Sequence, residues 1–131
     1  MSDSAVADRR LPSAERTAGL AAGIGAWILW SGVILTGSGT IIVNNFLVGG
    51  AIAVFAAYAA GWPAGGPLPS VAAPLLVVLL GLWTVAAPFV FEVAAARLLW
   101  SNVIAGVLVA ILAGTSLYGS RQLERPTATG A

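Results

Sequence analysis

Four stretches of this chain, roughly 18–35, 43–60, 71–91 and 102–117, contain no Asp, Glu, Lys, Arg or His. Each is close to the ~17–25 apolar residues needed to cross ~30 Å of hydrocarbon. Lipid offers no partner to an open backbone N–H or C=O, so only helices or a closed barrel satisfy a spanning chain. Runs such as Leu75-Leu76-Val77-Val78-Leu79-Leu80 lack the period-two alternation of barrel strands, which leaves helices. Composition agrees: 59% of the 131 residues are hydrophobic, 8% are charged and the mean hydropathy is +0.95, values that belong in a bilayer.

The stretches come in two pairs. Gly25-Ala26-Trp27 returns 56 residues later as Gly81-Leu82-Trp83, and Asn45-Phe46-Leu47-Val48-Gly49 returns 57 residues later as Asn102-Val103-Ile104-Ala105-Gly106. Such a period makes the repeat the unit of architecture. The expected fold is an all-α membrane protein, four transmembrane helices formed by two tandem parallel helical-hairpin repeats. The expected organisation is a flexible cytoplasmic N-terminal arm at 1–17, a first two-helix repeat at 18–60 and a Gly/Pro hinge at 61–70. A second two-helix repeat at 71–118 and a flexible cytoplasmic tail at 119–131 complete it. The first stretch has a repeat partner in mid-chain and reads as a retained span, not a signal peptide.

Arginine sets the expected orientation. Arg9, Arg10 and Arg16 precede the first span, Arg121 and Arg125 follow the last, and Arg97 alone lies on the opposite side. By the positive-inside rule both termini are cytoplasmic, and the hairpins are parallel repeats about an axis near the membrane normal. All six basic residues are arginine, beside abundant Ala and Gly, which fits a GC-rich prokaryotic genome and a multi-pass protein of the prokaryotic inner membrane.

Chemistry is sparse. The chain has no Cys and no His, which removes disulfides, thiolate and iron–sulfur ligation, imidazole-bound haem and an ordinary zinc site. General acid–base catalysis and proton relays need an ionisable group at the reacting centre, and the spans have none. The expectation is therefore no enzyme, no catalytic residue, no metal, no cofactor and no nucleic acid.

The polar and small residues that remain follow a pattern. Behind each repeated asparagine a small residue recurs every four positions, giving Gly49, Ala53, Ala57, Gly61 and Gly106, Ala110, Gly114. Residues four apart share a helix face, and small-xxx-small faces let membrane helices approach closely. Gly49, Ala53, Ala57, Gly106, Ala110 and Gly114 are the helix-packing candidates, as intrachain contacts or as a dimerisation seam. Gly19 and Gly23 give the first helix a shorter version of that face. Asn45 and Asn102, beside Asn44 and Ser101, read as N-caps of the second and fourth helices. The alternative is a polar pair near the pseudo-twofold axis that receives a ligand or ion. Trp27 and Trp83 fall near span centres, and both rings are expected to face the bundle and donate to a carbonyl or hydroxyl. Their functional alternative is a stacking wall for a flat lipid-soluble ligand such as a quinone or carotenoid. Trp62 and Trp100 read as interface anchors. Pro88 should kink or stop the third helix, and the segment between Glu92 and Arg97 should form a short surface helix.

At these residues the chain resembles the SPW-repeat family of small prokaryotic integral membrane proteins. That family's unit places a Trp before a Ser-Pro step in its first span and a Trp-Asn step ahead of a Gly in its second. The second unit here supplies Trp83, Pro88, Trp100, Asn102 and Gly106, with Ala87 where Ser is expected. The first supplies Trp27, Ser31, Asn45 and Gly49, with Gly32 in place of Pro and Val43 in place of the second Trp. The resemblance implies a four-helix membrane fold and no particular activity. The expected role is structural or accessory, small-residue helix faces packing within a membrane complex or homo-oligomer in the lipid bilayer. The alternatives are a passive pore or small-solute carrier, and a binder of a lipid-soluble ligand.

Overall fold

A computed structural model of the chain describes residues 2–35, 39–62 and 66–124, with side chains for 15–35, 39–62 and 66–119. Among the described residues it forms four helices: α1 (Ser2–Ile34), α2 (Thr40–Gly61), α3 (Ala72–Val90) and α4 (Ala96–Glu124). Each contains a segment long and apolar enough to cross a bilayer, Glu15–Ile34, Thr40–Gly61, Ala72–Val90 and Ala96–Gly119, so the chain is a multi-pass membrane protein.

Two ends differ from the sequence expectation. The stretch expected as a flexible arm, 1–17, continues α1 as helix from Ser2, consistent with the strong helix formers Ala5, Ala7, Arg9, Arg10, Leu11 and Ala14 within it. At 33 residues α1 far exceeds the thickness of a membrane, so its first part lies beyond the apolar span. The stretch expected as a tail from residue 119 is helical as far as Glu124, and the expectation for 125–131 lies outside the described residues.

The helices form a four-membered ring. Packing is most extensive within each hairpin, α1 on α2 and α3 on α4; α1 then closes on α4, and α2 on α3. The core is built from equivalent positions of the two repeats: Ala21 with Val77, Ile52 with Val109 and Ala56 with Ala113, all buried. At the terminal side, Ser116 is buried among Ala18, Ala21, Ala59 and Ala113.

Each hairpin is drawn together at a pair of glycines. A Cβ on Gly49 would lie 2.7 Å from the Gly25 carbonyl oxygen and against the Leu29 backbone. A Cβ on Gly106 would lie 2.6 Å from the Gly81 carbonyl oxygen and 2.8 Å from the Val85 nitrogen. Backbone thus meets backbone at the same place in both repeats, and these contacts lie within the chain. The partner face on α1 is Gly25, not the expected Gly19 and Gly23, which are exposed with nothing within 4 Å of an added Cβ. Ala53 joins the first crossing through its nitrogen, 2.7 Å from a Cβ on Gly25, and Ala110 joins the second, 3.0 Å from one on Gly81. Gly61 and Gly114 meet nothing, and Ala57 is exposed, because one face of a straight helix drifts off its neighbour over three turns.

The third helix runs through the buried Pro88 and stops two residues later. Glu92 takes φ 52°, while the Val93 N–H donates to the Pro88 carbonyl at 2.9 Å and the Glu92 N–H to Phe89 at 3.4 Å. That is a Schellman ending with glutamate at the position glycine usually fills. The short surface helix expected between Glu92 and Arg97 is absent: residues 93–95 have no regular secondary structure, and Arg97 belongs to the first turn of α4. The left-handed turn at Glu92 redirects the chain straight into α4 and leaves no room for another helical turn. Within the 61–70 connection, Trp62 packs on Tyr58 with ring centroids 4.9 Å apart, and the Leu68 N–H donates to the Tyr58 hydroxyl at 3.2 Å. Trp62 and Trp100 are both exposed to the surroundings, near the ends of their helices.

Candidate functional site

Asn45 lies five residues into α2, and Asn102 six residues into α4. At ~1.5 Å per residue both sit roughly 8–9 Å inside the helix ends, too deep to cap them. The capping expectation therefore fails: α2 begins behind Gly39 with no side-chain cap, and α4 begins at Ala96. The apolar pattern of 102–117 placed the fourth helix's start too late because Arg97, Trp100 and Ser101 interrupt the hydropathy without interrupting the helix.

Both asparagines instead turn inward, fully buried, and meet across the diagonal of the ring. The Asn45 Nδ2 donates to the Asn102 Oδ1 at 2.7 Å, and the Asn102 Nδ2 donates back to the Asn45 Oδ1 at 3.0 Å. A reciprocal amide pair of this kind sits where the pseudo-twofold axis requires identical partners from the two repeats. Asn45 also donates to the Ser31 Oγ at 3.0 Å, and Ser31 in turn to the Ile28 carbonyl at 2.8 Å. In the second unit Ala87 occupies the place of Ser31, so Asn102 donates to Asn45 alone.

The tryptophans belong to the same layer. Each lies seven residues before the end of its helix and within about three residues of the middle of its span, near the centre as expected, on the side away from the termini. Trp27 and Trp83 are 41% and 37% exposed, so each ring is partly covered by the bundle and partly turned to the surroundings. The Trp27 Nε1 donates to the Ser101 Oγ at 2.9 Å, tying α1 to α4. The Trp83 Nε1 donates to the Asn44 Oδ1 at 2.8 Å, tying α3 to α2. Asn44 passes the connection on, its Nδ2 donating to the Asn45 Oδ1 at 3.2 Å. Trp83, Asn44, Asn45, Asn102 and Ser31 are thus one hydrogen-bonded string across the bundle, with the Trp27–Ser101 tie as its counterpart on the other flank.

Reading the sequence for function singled out Trp27, Trp83, Asn45 and Asn102, and the structure places all four in this layer. It missed Ser31 as a partner, Asn44 and Ser101 as acceptors, and Gly25 and Gly81 as the crossing points. The signal was present: Gly25 and Gly81 open the repeated Gly-x-Trp marker, and Asn44 and Ser101 both stand immediately before the repeated asparagine. Thr84 bonds its own helix, donating to the Leu80 carbonyl at 2.8 Å, and Thr115 likewise donates to Leu112. Among the described residues, no group of His, Cys, Asp and Glu is placed to hold a metal.

Chemically the layer is a set of neutral donors and acceptors engaged with one another. It supplies no nucleophile with a base beside it and no charge, and its central pair fills the axis that a pore would occupy. What it does is fix register: four helices at one depth are joined by directional bonds in a medium where an unmade bond has no water to fall back on.

No curated protein and no solved structure matches the chain. The family model of the SPW repeat domain matches residues 15–116, a range that takes in the four spans, both glycine crossings and the whole polar layer. The match covers both hairpins, and the chain belongs to the SPW repeat domain family.

Proposed function

We propose that this protein is a non-enzymatic structural or accessory component of the prokaryotic cell membrane, a pre-packed four-helix unit that acts through its lipid-facing surfaces on other membrane subunits or on copies of itself. The observation that carries this reading is the engagement of the polar side chains of one layer, Ser31, Asn44, Asn45, Trp83 and Asn102 with Trp27 and Ser101 beside them, with one another. Asn45 and Asn102 bond reciprocally, and both tryptophan N–H groups have acceptors across the helix interface. Binding sites and pores ordinarily keep polar groups directed at the ligand or solute. Here those groups hold helices together, and many large apolar side chains, such as Leu20, Val54, Leu79 and Ile111, face outward. The arginines flanking the first and last spans favour both termini in the cytoplasm. The small-residue faces available to a partner are then the ones the fold does not use, Gly19 with Gly23 above all.

The test is the composition of the endogenous protein extracted in mild detergent or native nanodiscs. Stoichiometric recovery with larger membrane subunits, or as a homo-oligomer, is the expected result. Solute flux in proteoliposomes above the empty-liposome background, abolished by Asn45→Ala with Asn102→Ala, would replace this reading with a carrier or pore.

A further inference from the structure

The buried polar groups divide by depth. Away from the termini, Asn45 and Asn102 bond each other, Ser31 donates to the Ile28 carbonyl and Thr84 to the Leu80 carbonyl. On the terminal side the buried hydroxyls of Ser70 and Ser116 have no partner among the described residues. Ser116 lies 14 residues beyond Asn102 on α4, a rise of about 21 Å toward the termini. A helical serine ordinarily turns to the carbonyl four residues back, here Leu112. That carbonyl already takes the helix N–H of Ser116 and the Thr115 hydroxyl, the latter at 2.8 Å. Ser116 borders a void too tight for a water molecule. Its lining is made of repeat-equivalent residues, among them Ala18 with Pro74, 56 apart, and Ala59 with Ser116, 57 apart, so the void lies on the pseudo-twofold axis. A hydroxyl held dry without an acceptor works against the closed packing around it.

What joins the hairpins divides in the same way. Each hairpin is locked internally at its glycine crossing. Between hairpins, the hydrogen bonds from Trp27 to Ser101, from Trp83 to Asn44 and within the asparagine pair all fall in the polar layer. At the terminal end the hairpins meet through Ala18, Ala59 and Ala73, and alanine offers little apolar area to hold them. The link between the hairpins, residues 62–71, reaches about 33 Å when extended, so it tethers them without clamping them.

We propose that the two hairpins move as rigid bodies hinged at the polar layer, parting at the terminal end to admit water to Ser116 and closing again over the dry void. The open form hydrates the Ser116 hydroxyl; the closed form, the present structure, regains the alanine packing. Ser116 stands three residues from the Gly119 end of its span, about 4–5 Å, so interfacial water reaches it once the hairpins part. The layer stays bonded in both forms. The cleft therefore opens on one face of the membrane and gives no passage through it.

This motion goes beyond the accessory role and stands whether or not the protein has partners. The chain has no cysteine, so spin labels can be placed at chosen pairs in the full chain in nanodiscs. Leu20→Cys with Leu76→Cys labels exposed, repeat-equivalent sites of α1 and α3 on the terminal side of the layer. Val33→Cys with Phe89→Cys labels exposed equivalents beyond it. Double electron–electron resonance is expected to give a shorter and a longer distance for the first pair and one distance for the second. Ser116→Ala removes the group that gains from water and should reduce the longer population several-fold. A single distance for both pairs, two populations for both, or a longer population untouched by Ser116→Ala overturns the proposal. Thiol labelling supplies an independent measurement should the labelled pairs express poorly. Ser116→Cys and Ala87→Cys are both buried in the closed bundle, at the terminal end and in the layer. Ser116→Cys should react with a water-soluble maleimide about tenfold faster or more, as local opening requires, and equal protection of the two overturns the proposal as well.

Discussion

Asn45 and Asn102 are equivalent in the repeat but not in their bonding. Asn45 uses both amide hydrogens, on Asn102 and Ser31, and its oxygen accepts from Asn102 and Asn44. Asn102 bonds only Asn45, because Ala87 carries no hydroxyl. A buried polar group that loses its partner costs about 1–3 kcal/mol, while interhelical bonds measured in bilayers reach up to ~2 kcal/mol. Asn45→Ala should accordingly destabilise the protein by about 1–3 kcal/mol, and Asn102→Ala by less, since Asn45 retains Ser31 and Asn44. The double variant should cost little more than Asn45→Ala alone. Unfolding of the four proteins in mixed detergent micelles measures this cycle, and equal single effects that simply add would contradict the reciprocal pair. The sequence marked these residues as special through their repetition. Their partners were hidden, because a hydrogen bond spanning 57 residues of chain depends on how two hairpins rotate against each other.

Within the helices, the glycine crossings and the end of α3 set the geometry that the side chains then use. At Gly49 and Gly106 the obstacle to a larger residue is backbone, which cannot rotate away as a side chain does. Gly49→Leu with Gly106→Leu should force both hairpins apart and cost more than the ~1–3 kcal/mol usual for overpacking, abolishing the cooperative melt followed by circular dichroism. A double variant that melts like the wild type would refute the crossings. Glu92 presents the opposite case. A left-handed φ costs a non-glycine residue about 1 kcal/mol, so Glu92→Gly should stabilise the protein by ~0.5–1 kcal/mol, read as a higher melting temperature with unchanged helix content. The existence of four helices was legible in hydropathy; their ends were less so. Polar residues at the start of α4 suggested a loop, yet helix backbone satisfies its own hydrogen bonds whatever the side chains' polarity. The Ser-Pro step of the family also divides between the units: Ser31 supplies its hydroxyl in the first, and Pro88 lies buried near the helix end in the second.

For the molecule as a whole, the duplication explains why the interior is nearly symmetric and the exterior is not. Core positions must match across the axis, so Ile52 and its repeat equivalent Val109, and Ala56 and its equivalent Ala113, are all buried in one cluster. Outward positions carry no such obligation: the open Gly19 and Gly23 are matched 56 residues later by the exposed Leu75 and Leu79. Composition, span length and the 56- and 57-residue offsets by themselves determined that this is a membrane protein of four helices in two like hairpins. They could do so because lipid permits only helices or a closed barrel, the apolar runs lack a barrel's alternation, and a helix satisfies its backbone locally. Tertiary structure alone decided which face of each helix turns inward, that the asparagines meet rather than cap, which acceptors the tryptophan N–H groups find, and that Gly49 and Gly106 lie at backbone crossings while Gly19 and Gly23 stay open. In a chain apolar on nearly every side, hydropathy cannot choose a helix's rotation. That choice falls to close backbone contact and to the few directional hydrogen bonds, both of which exist only between helices already assembled.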